Sequence, residues 1–260
     1  MRLLLKIVSA RGQKIFSSAS TELATAIASG TGMTGSGTVT VDSTTGFSSS
    51  GTLQINSEIF TYTGVTSTTF TGVTRATSST SAAAHVVNDV VSESWTERDA
   101  GRSSASRYNF ERFNFDGNDK LVVVDGDNAP TFFNSSLSAT DITSAGSGEV
   151  STAVTGAKFV AAFRDHMFYA GMASTPQELV FSVPFDEDNF ATGSGGGSIK
   201  VDNTITGLKV FRNDLFIFCE SRIFKLSGSS LSDFVITPVT RNIGCIEPFG
   251  STIQEFAGDL

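Results

Sequence analysis

The stretch "TGLKVFRNDLFIFCESRIFKLSG", Thr206 to Gly228, consists of apolar strands separated by polar turns. Strands are expected at Leu208 to Phe211, Leu215 to Cys219 and Ile223 to Leu226, with a fourth at Phe234 to Val239. The turn residues Arg212-Asn213-Asp214 suit tight backbone geometry. The opening of this stretch occurs elsewhere in the chain. Aligning "FDGNDKLVVV", "FRDHMFYA", "FRNDLFIF" and "FAGDL" places Phe115, Phe163, Phe211 and Phe256 in register, at separations of 48, 48 and 45 residues. A period of about 40 to 50 residues is the span of one four-stranded propeller blade. The copy before Thr206 repeats the pattern at Phe159 to Phe163, Met167 to Ala170, Leu179 to Ser182 and Ile199 to Val201. Both copies carry Thr-Gly near their start, at Thr155-Gly156 and Thr206-Gly207.

Each repeat is a small antiparallel sheet with apolar residues on both faces, so neighbouring repeats must cover it. The copy opening at Phe256 has only begun at Leu260. Because closure takes about four to eight blades, the expectation is a propeller that continues beyond this point. The fold class expected is therefore all-β: a partial β-propeller of four-stranded repeats over residues 95–260.

Two further regions precede the repeats. Residues 31–94 form a small Ser/Thr/Gly-rich β module, with strands expected at Val39 to Val41, Leu53 to Ile55, Ile59 to Tyr62, Thr69 to Thr71 and Val86 to Val91. Asn56-Ser57-Glu58 is expected as a hairpin turn. Residues 1–30 are expected to hold short strands at Lys6 to Ser9 and Lys14 to Phe16. They are followed by a short helix over "TELATAIAS", capped by Ser20 and closed by Gly30.

Composition agrees with a β protein. Phe is the dominant aromatic with 22 copies, there are only 5 prolines, and charged residues make up 17% of 260 residues. The net charge of −8 argues against a broad footprint for nucleic acid or anionic lipid, which reward clustered Lys and Arg. No apolar run approaches the roughly 18 to 20 residues that cross a bilayer. The apolar part of "MRLLLKIVSA" ends at Lys6, short of a secretory signal, which normally has about 7 to 15 apolar residues. Cys219 and Cys245 are too few for a disulfide framework or a zinc site and are expected as buried free thiols.

The chemistry-bearing residues assemble no site by spacing. "ATGSGGGSIK" lacks the Gly-Lys-Ser/Thr ending of a phosphate loop, and Lys200 falls in a strand. Asp125, Asp127, Asp186 and Asp188 cluster in "VVDGDNAP" and "PFDEDNF" without the spacing of a calcium loop, so turn chemistry is their expected role. Paired carboxylates would also suit a glycosidase, but nothing fixes a pair at the needed separation. His85 and His166 are the only histidines. His166 occupies the position of Asp214 in the next copy and is expected in a surface turn. Trp95 is expected as a packing anchor. No catalytic residue, cofactor or metal ligand is assigned.

The phrases "DSTTGFSSSGTLQINSEIFTYTGVTSTTFTGVTRA", "ELVFSVPFDEDNFATGSGGGSIKVDNTITGLKVFRNDLFIFCESRIFKLSG" and "NIGCIEPFGSTIQEFAGDL" resemble virion structural proteins of tailed bacteriophages. The similarity is to proteins of marine cyanobacterial phages, with the repeats similar to the propeller of nozzle-type tail proteins. It runs from about Val39 to the end. The resemblance implies a non-enzymatic, tail-associated virion component, made in the host cytoplasm and acting through other virion proteins and copies of itself. It carries no catalytic residues across. The competing expectation is a cell-surface or secreted propeller that binds or cleaves sugars.

Overall fold

A computed structural model describes residues 7–11, 13–94, 96–103, 107–115, 117–135, 137–142 and 154–246. Trp95 and the repeat opening at Phe256 lie outside these residues. The chain divides into two compact units, Met1–Ala100 and Gly101–Leu260. Strands dominate both units, and no α-helix occurs among the described residues.

In the first unit, β1 (Ile7–Arg11), β2 (Lys14–Ser18) and β10 (Thr96–Asp99) form an antiparallel sheet in the order β1-β2-β10. The expected strands around Arg11-Gly12-Gln13 are therefore present. Between β2 and β10 runs a second sheet made of β3 (Ser20–Glu22), β4 (Thr34–Thr40), β5 (Gly51–Ile55), β6 (Glu58–Tyr62), β7 (Gly64–Val65), β8 (Thr69–Thr74) and β9 (Val90–Glu93). Its order is β3-β9-β5-β6-β8-β4, with β7 on β8. The two ends of this order meet. Leu23 bridges Val41, Asp42 N–H donates to the Glu22 carbonyl at 3.0 Å, and Ala24 N–H donates to the Thr40 carbonyl at 2.9 Å. The sheet thus closes into a small barrel, which leaves no open strand edge at that seam. Leu23, Leu53, Ile55, Phe60, Phe70, Val73 and Val91 fill it, each fully buried.

Three expectations for this unit are corrected. The segment "TELATAIAS" is not a helix. Burial alternates from Ser20 to Leu23, and Ile27 bridges His85, so barrel pairing overrides the local helix signal. The hairpin turn is Asn56-Ser57 alone, with Asn56 at φ 52, and Glu58 is the buried first residue of β6. Of Val86 to Val91, only the end is strand. The Asp89 carboxylate takes the Val86 N–H at 2.9 Å and Asn88 adopts φ 71, which folds Val86 to Asp89 into a turn.

The second unit holds three four-stranded antiparallel sheets, each in simple sequence order. The first comprises β11 (Asn109–Phe115), β12 (Asn118–Val124), β13 (Thr131–Phe133) and β14 (Ala139–Asp141). The second comprises β15 (Phe159–Phe163), β16 (His166–Ala170), β17 (Glu178–Phe181) and β18 (Gly197–Lys200). The third comprises β19 (Ile205–Phe211), β20 (Asp214–Cys219), β21 (Ile223–Ser227) and β22 (Val235–Thr240). The register confirms the repeat read from the sequence. Phe115, Phe163 and Phe211 each end a first strand and pair across a two-residue turn with Asn118, His166 and Asp214. First strands are neighbours, β11 beside β15 and β15 beside β19. This is the arrangement of consecutive propeller blades, and the fold is an all-β partial propeller with an added β module.

The cores lie between blades. Phe113, Phe115, Val122 and Val124 of the first meet Met167, Tyr169 and Val180 of the second. Phe168 and Phe181, on the other face of the second, meet Leu215, Ile217 and Leu226 of the third. Each such buried side chain contributes about 1.5–3 kcal/mol. Both faces of the middle blade are therefore used, and β16 is buried along its whole length. Gly171, just beyond β16, sits at φ 82, and a Cβ there would lie 2.8 Å from the Phe159 ring. The two Thr-Gly pairs prove not to be equivalent. Thr155-Gly156 forms a turn before β15, whereas Thr206-Gly207 lies within β19 at a register shift.

Candidate functional site: buried polar clusters and an exposed sheet face

A fully buried carboxylate that accepts five hydrogen bonds is one that spacing did not reveal. Glu58 begins the inward-facing series Glu58, Phe60, Tyr62 on β6 and is fully buried. Its Oε1 accepts Arg75 Nε at 2.8 Å and Ala76 N–H at 3.1 Å. Its Oε2 accepts Arg75 Nη2 at 2.8 Å, Ala83 N–H at 2.9 Å and His85 Nε2 at 2.9 Å. Arg75 also donates to the carbonyls of Ala28, Thr31 and Ala83. Burial pushes the Glu58 carboxyl up, but hydrogen bonds from Arg75, Ala83 and His85 outweigh it and hold it at about 2. The loop from Arg75 to His85 is thereby tied at both ends to one carboxylate. Ala76, Ser78 and Ser79 within it adopt positive φ, a strain that such anchoring sustains. His85 is a structural member of this clasp, and Phe60 packs 5.7 Å from its ring.

Glu93 is the second buried acid of the barrel. Its Oε1 accepts Tyr62 Oη–H at 2.9 Å and Ser48 N–H at 2.9 Å, while Oε2 has no partner among the described residues. Burial and the neighbouring Glu93 raise the Tyr62 phenol above its ordinary value.

In the blades, the four aspartates of interest fall into two separate places. Asp125 is buried and builds the turn after β12. Its Oδ1 accepts Asp127 and Asn128 N–H groups, and its Oδ2 accepts Asn128 Nδ2 at 2.8 Å and Arg102 Nη1 at 2.7 Å. Burial raises this carboxyl, and those four donors, Asn128 foremost, bring it below the usual range. Asp127 contributes its backbone N–H to that turn. Asp186 and Asp188 lie in the loop after β17, where Asp186 accepts Asn189 Nδ2 at 3.2 Å. Burial, then Asp186 and Glu187, push Asp188 up to about 6. Glu187 pairs with Lys120 of the first blade, and its carbonyl accepts the Tyr169 hydroxyl. The loop ties blade two to blade one. No group of three or more His, Cys, Asp or Glu side chains able to hold a metal occurs among the described residues.

His166 does match Asp214 in register, but it is buried rather than in a surface turn. Phe168, Phe181 and Phe234 surround its ring at 6.1, 5.6 and 5.5 Å, and Nδ1–H donates to the Ser182 carbonyl at 2.5 Å. Packing against the third blade covers this position, a fact that lies outside the local turn. Lys200 ends β18, as expected, and the glycine-rich stretch closes the connection from β17 with Ala191 to Gly196 and opens β18 with Gly197-Ser198. Cys219 is buried and Cys245 half-buried, both as free thiols, so the expectation of burial holds fully for Cys219 only.

Two devices stitch blade to blade at their first strands. Asn109 Nδ2 donates to the Lys158 carbonyl, and Glu111 accepts the Ala162 N–H at 3.1 Å. These bonds satisfy edge groups of β15 and of Lys158 just before it. At the turns, Arg164 lies over Phe163 at 5.4 Å and donates to the Asn213 carbonyl of the next blade. Arg212 repeats the stacking over Phe211 at 4.9 Å.

The third blade turns Leu215, Ile217 and Leu226 toward the second. By strand alternation its other face carries Lys209, Phe211, Phe216, Lys225 and Val235. Phe211 and Phe216 pack edge to face at 6.1 Å, Val235 is 59% exposed and Val239, beside a register shift in β22, is 50% exposed. The chain then passes through exposed Ile243 and Ile246.

No protein-family model matches the chain, and no curated protein matches it. Among solved structures, phage phi92 endosialidase is similar at 14% identity and TM-score 0.43, over 88% of this chain and 44% of that one. BBS1N, solved in complex with ARL6DN, is similar at 7% identity and TM-score 0.35, over 92% of this chain and 66% of that one. The chain thus spans less than half of the endosialidase. At these TM-scores the likenesses assign neither family nor activity.

Proposed function

We propose that this chain is a non-enzymatic structural component of a bacteriophage virion, tail-associated, acting by protein–protein assembly. The observation that carries the reading is the face-to-face stacking of four-stranded blades, whose last described face, on the third blade, holds Val235 and Val239 beside half-buried Phe211 and Phe216. Blades one and two each cover the equivalent face with a further sheet, so another sheet is the partner this face suits. The next sheet expected along the chain is the repeat that opens at Phe256, and a stack of blades extended in this way offers β surfaces to neighbouring virion proteins and to other copies of the chain. The buried Arg102–Asp125 pair of the first blade and the bonds between the turns of neighbouring blades make the stack stiff, which suits docking without turnover. The resemblance of "DSTTGFSSSGTLQINSEIFTYTGVTSTTFTGVTRA" and the repeats to phage virion proteins supports the same reading, with a tail nozzle or a similar tail position as the proposed location.

The test is peptide mass spectrometry on density-purified particles of a phage encoding this chain. The tryptic peptide Ile15 to Arg75, recovered in stoichiometric amount with other tail proteins, is the expected result. Its absence from particles, together with binding or cleavage of glycans by the purified chain, would overturn the proposal in favour of a sugar-acting propeller.

A further inference from the structure

The two cysteines lie far apart in sequence, at the end of β20 and beyond β22, yet their backbones are in contact. Cys245 N–H donates to the Cys219 carbonyl at 2.8 Å. The Cys245 carbonyl in turn accepts the hydroxyl of fully buried Thr206 at 2.7 Å. Gly244 is pressed so closely to the same place that a Cβ there would sit 2.2 Å from the Cys219 carbonyl oxygen and 2.5 Å from Glu220. Hydrogen-bonded backbone neighbours have Cα atoms about 5.5 Å apart, inside the roughly 4.4–6.8 Å window that a disulfide spans. Both thiols are free.

We propose that Cys219 and Cys245 are a latent disulfide, a covalent site that closes in oxidising surroundings and fastens the segment leaving β22 to the end of β20. The oxidant is a small disulfide of the glutathione class. The half-buried Cys245 loses its proton and attacks one sulfur of glutathione disulfide, forming a mixed disulfide and releasing one glutathione thiolate. Cys219 then loses its proton and attacks the Cys245 sulfur, forming the internal S–S bond and expelling the second glutathione thiolate. Two thiols give up two protons and two electrons, and one glutathione disulfide becomes two glutathione thiols. The second step is slow, because burial pushes the Cys219 thiol up to about 12 and leaves little thiolate. The link forms over hours outside a reducing compartment and stays open inside one.

The full chain is incubated natively with glutathione disulfide, its remaining thiols are alkylated, and a non-reducing tryptic digest is examined by mass spectrometry. The expected result is a monomer two hydrogens lighter, with peptide Asn213–Arg222 joined to the peptide that begins at Asn242. Dithiothreitol should separate the two peptides. The oxidised chain should also melt above its reduced form, and Cys245→Ser, at a half-buried position, should fold normally and lose both the link and the shift. A folded protein with both thiols alkylated, with glutathione retained on Cys245, or with only intermolecular links would overturn the proposal.

Discussion

Replacing Glu58 with Gln tests whether the carboxylate clasp holds the barrel. Gln keeps the volume but carries an amide nitrogen where Glu58 Oε1 or Oε2 accepts only donors, from Arg75, Ala76, Ala83 and His85. One amide end must therefore face other donors, and Arg75 keeps its buried charge with only carbonyls as partners. Removing one member of a buried ion pair costs about 3–5 kcal/mol. A second route gives a similar size. A carboxyl held at about 2, against an ordinary 4.5, contributes about 3 kcal/mol at neutral pH. Because the folded value is depressed, this contribution is complete above about 4.5 and is lost as pH falls through about 2. At about 4–8 °C per kcal/mol, the melting transition of the first unit should fall by at least roughly 12 °C. Calorimetry of the full chain measures the fall, and hydrogen exchange across Thr52 to Val91 assigns it to the barrel. Glu58→Leu with Arg75→Met should cost less than Glu58→Gln alone, because the double change leaves no uncompensated charge. A Glu58→Gln transition within about 2 °C of the parent, or unchanged acid sensitivity, would refute the clasp.

Other substitutions probe the blades. Phe168→Ala removes a fully buried ring between blades two and three and should lower stability of the second unit by about 3–5 kcal/mol in urea titration. Asp125→Asn keeps the turn's acceptor oxygen but removes the carboxylate charge paired with Arg102. It should destabilise the first blade by about 3 kcal/mol, read as faster exchange of the amides around Asn128. For Asp188 the sign is reversed. Its proton is held more tightly in the folded chain, so its contribution weakens as pH rises from about 4 to about 6. Asp188→Asn should flatten that decline in melting curves taken across the interval.

The blade repeat was legible because its signals are local. Phenylalanines at nearly constant separation, two-residue polar turns and short apolar strands recur along the chain, and the strand register bears out the copies at Phe115, Phe163 and Phe211. The barrel strands at Leu53, Ile59 and Thr69 were legible for the same reason. "TELATAIAS" was misleading, because Leu23 and Ile27 suit a helical face as well as a strand, and only pairing with Val41 and His85 decides between them. Glu58 left a trace in the sequence. It heads an alternating series with Phe60 and Tyr62, and an acid on an apolar face announces a buried partner. Which partner could not be read, because Arg75 and His85 reach it only when the loop between them folds back.

The all-β class, the four-stranded repeat and the turns that set each blade's register follow from local sequence, since they depend on residues a few positions apart. Tertiary structure alone decided the closure of the barrel, the burial of His166 beneath Phe234, the union of Glu58 with Arg75 and His85, and the meeting of Cys219 with Cys245. In each of these the partners come from separate strands or loops. Burial, charge pairing and backbone contact between distant residues arise from packing in three dimensions, and no local pattern encodes them.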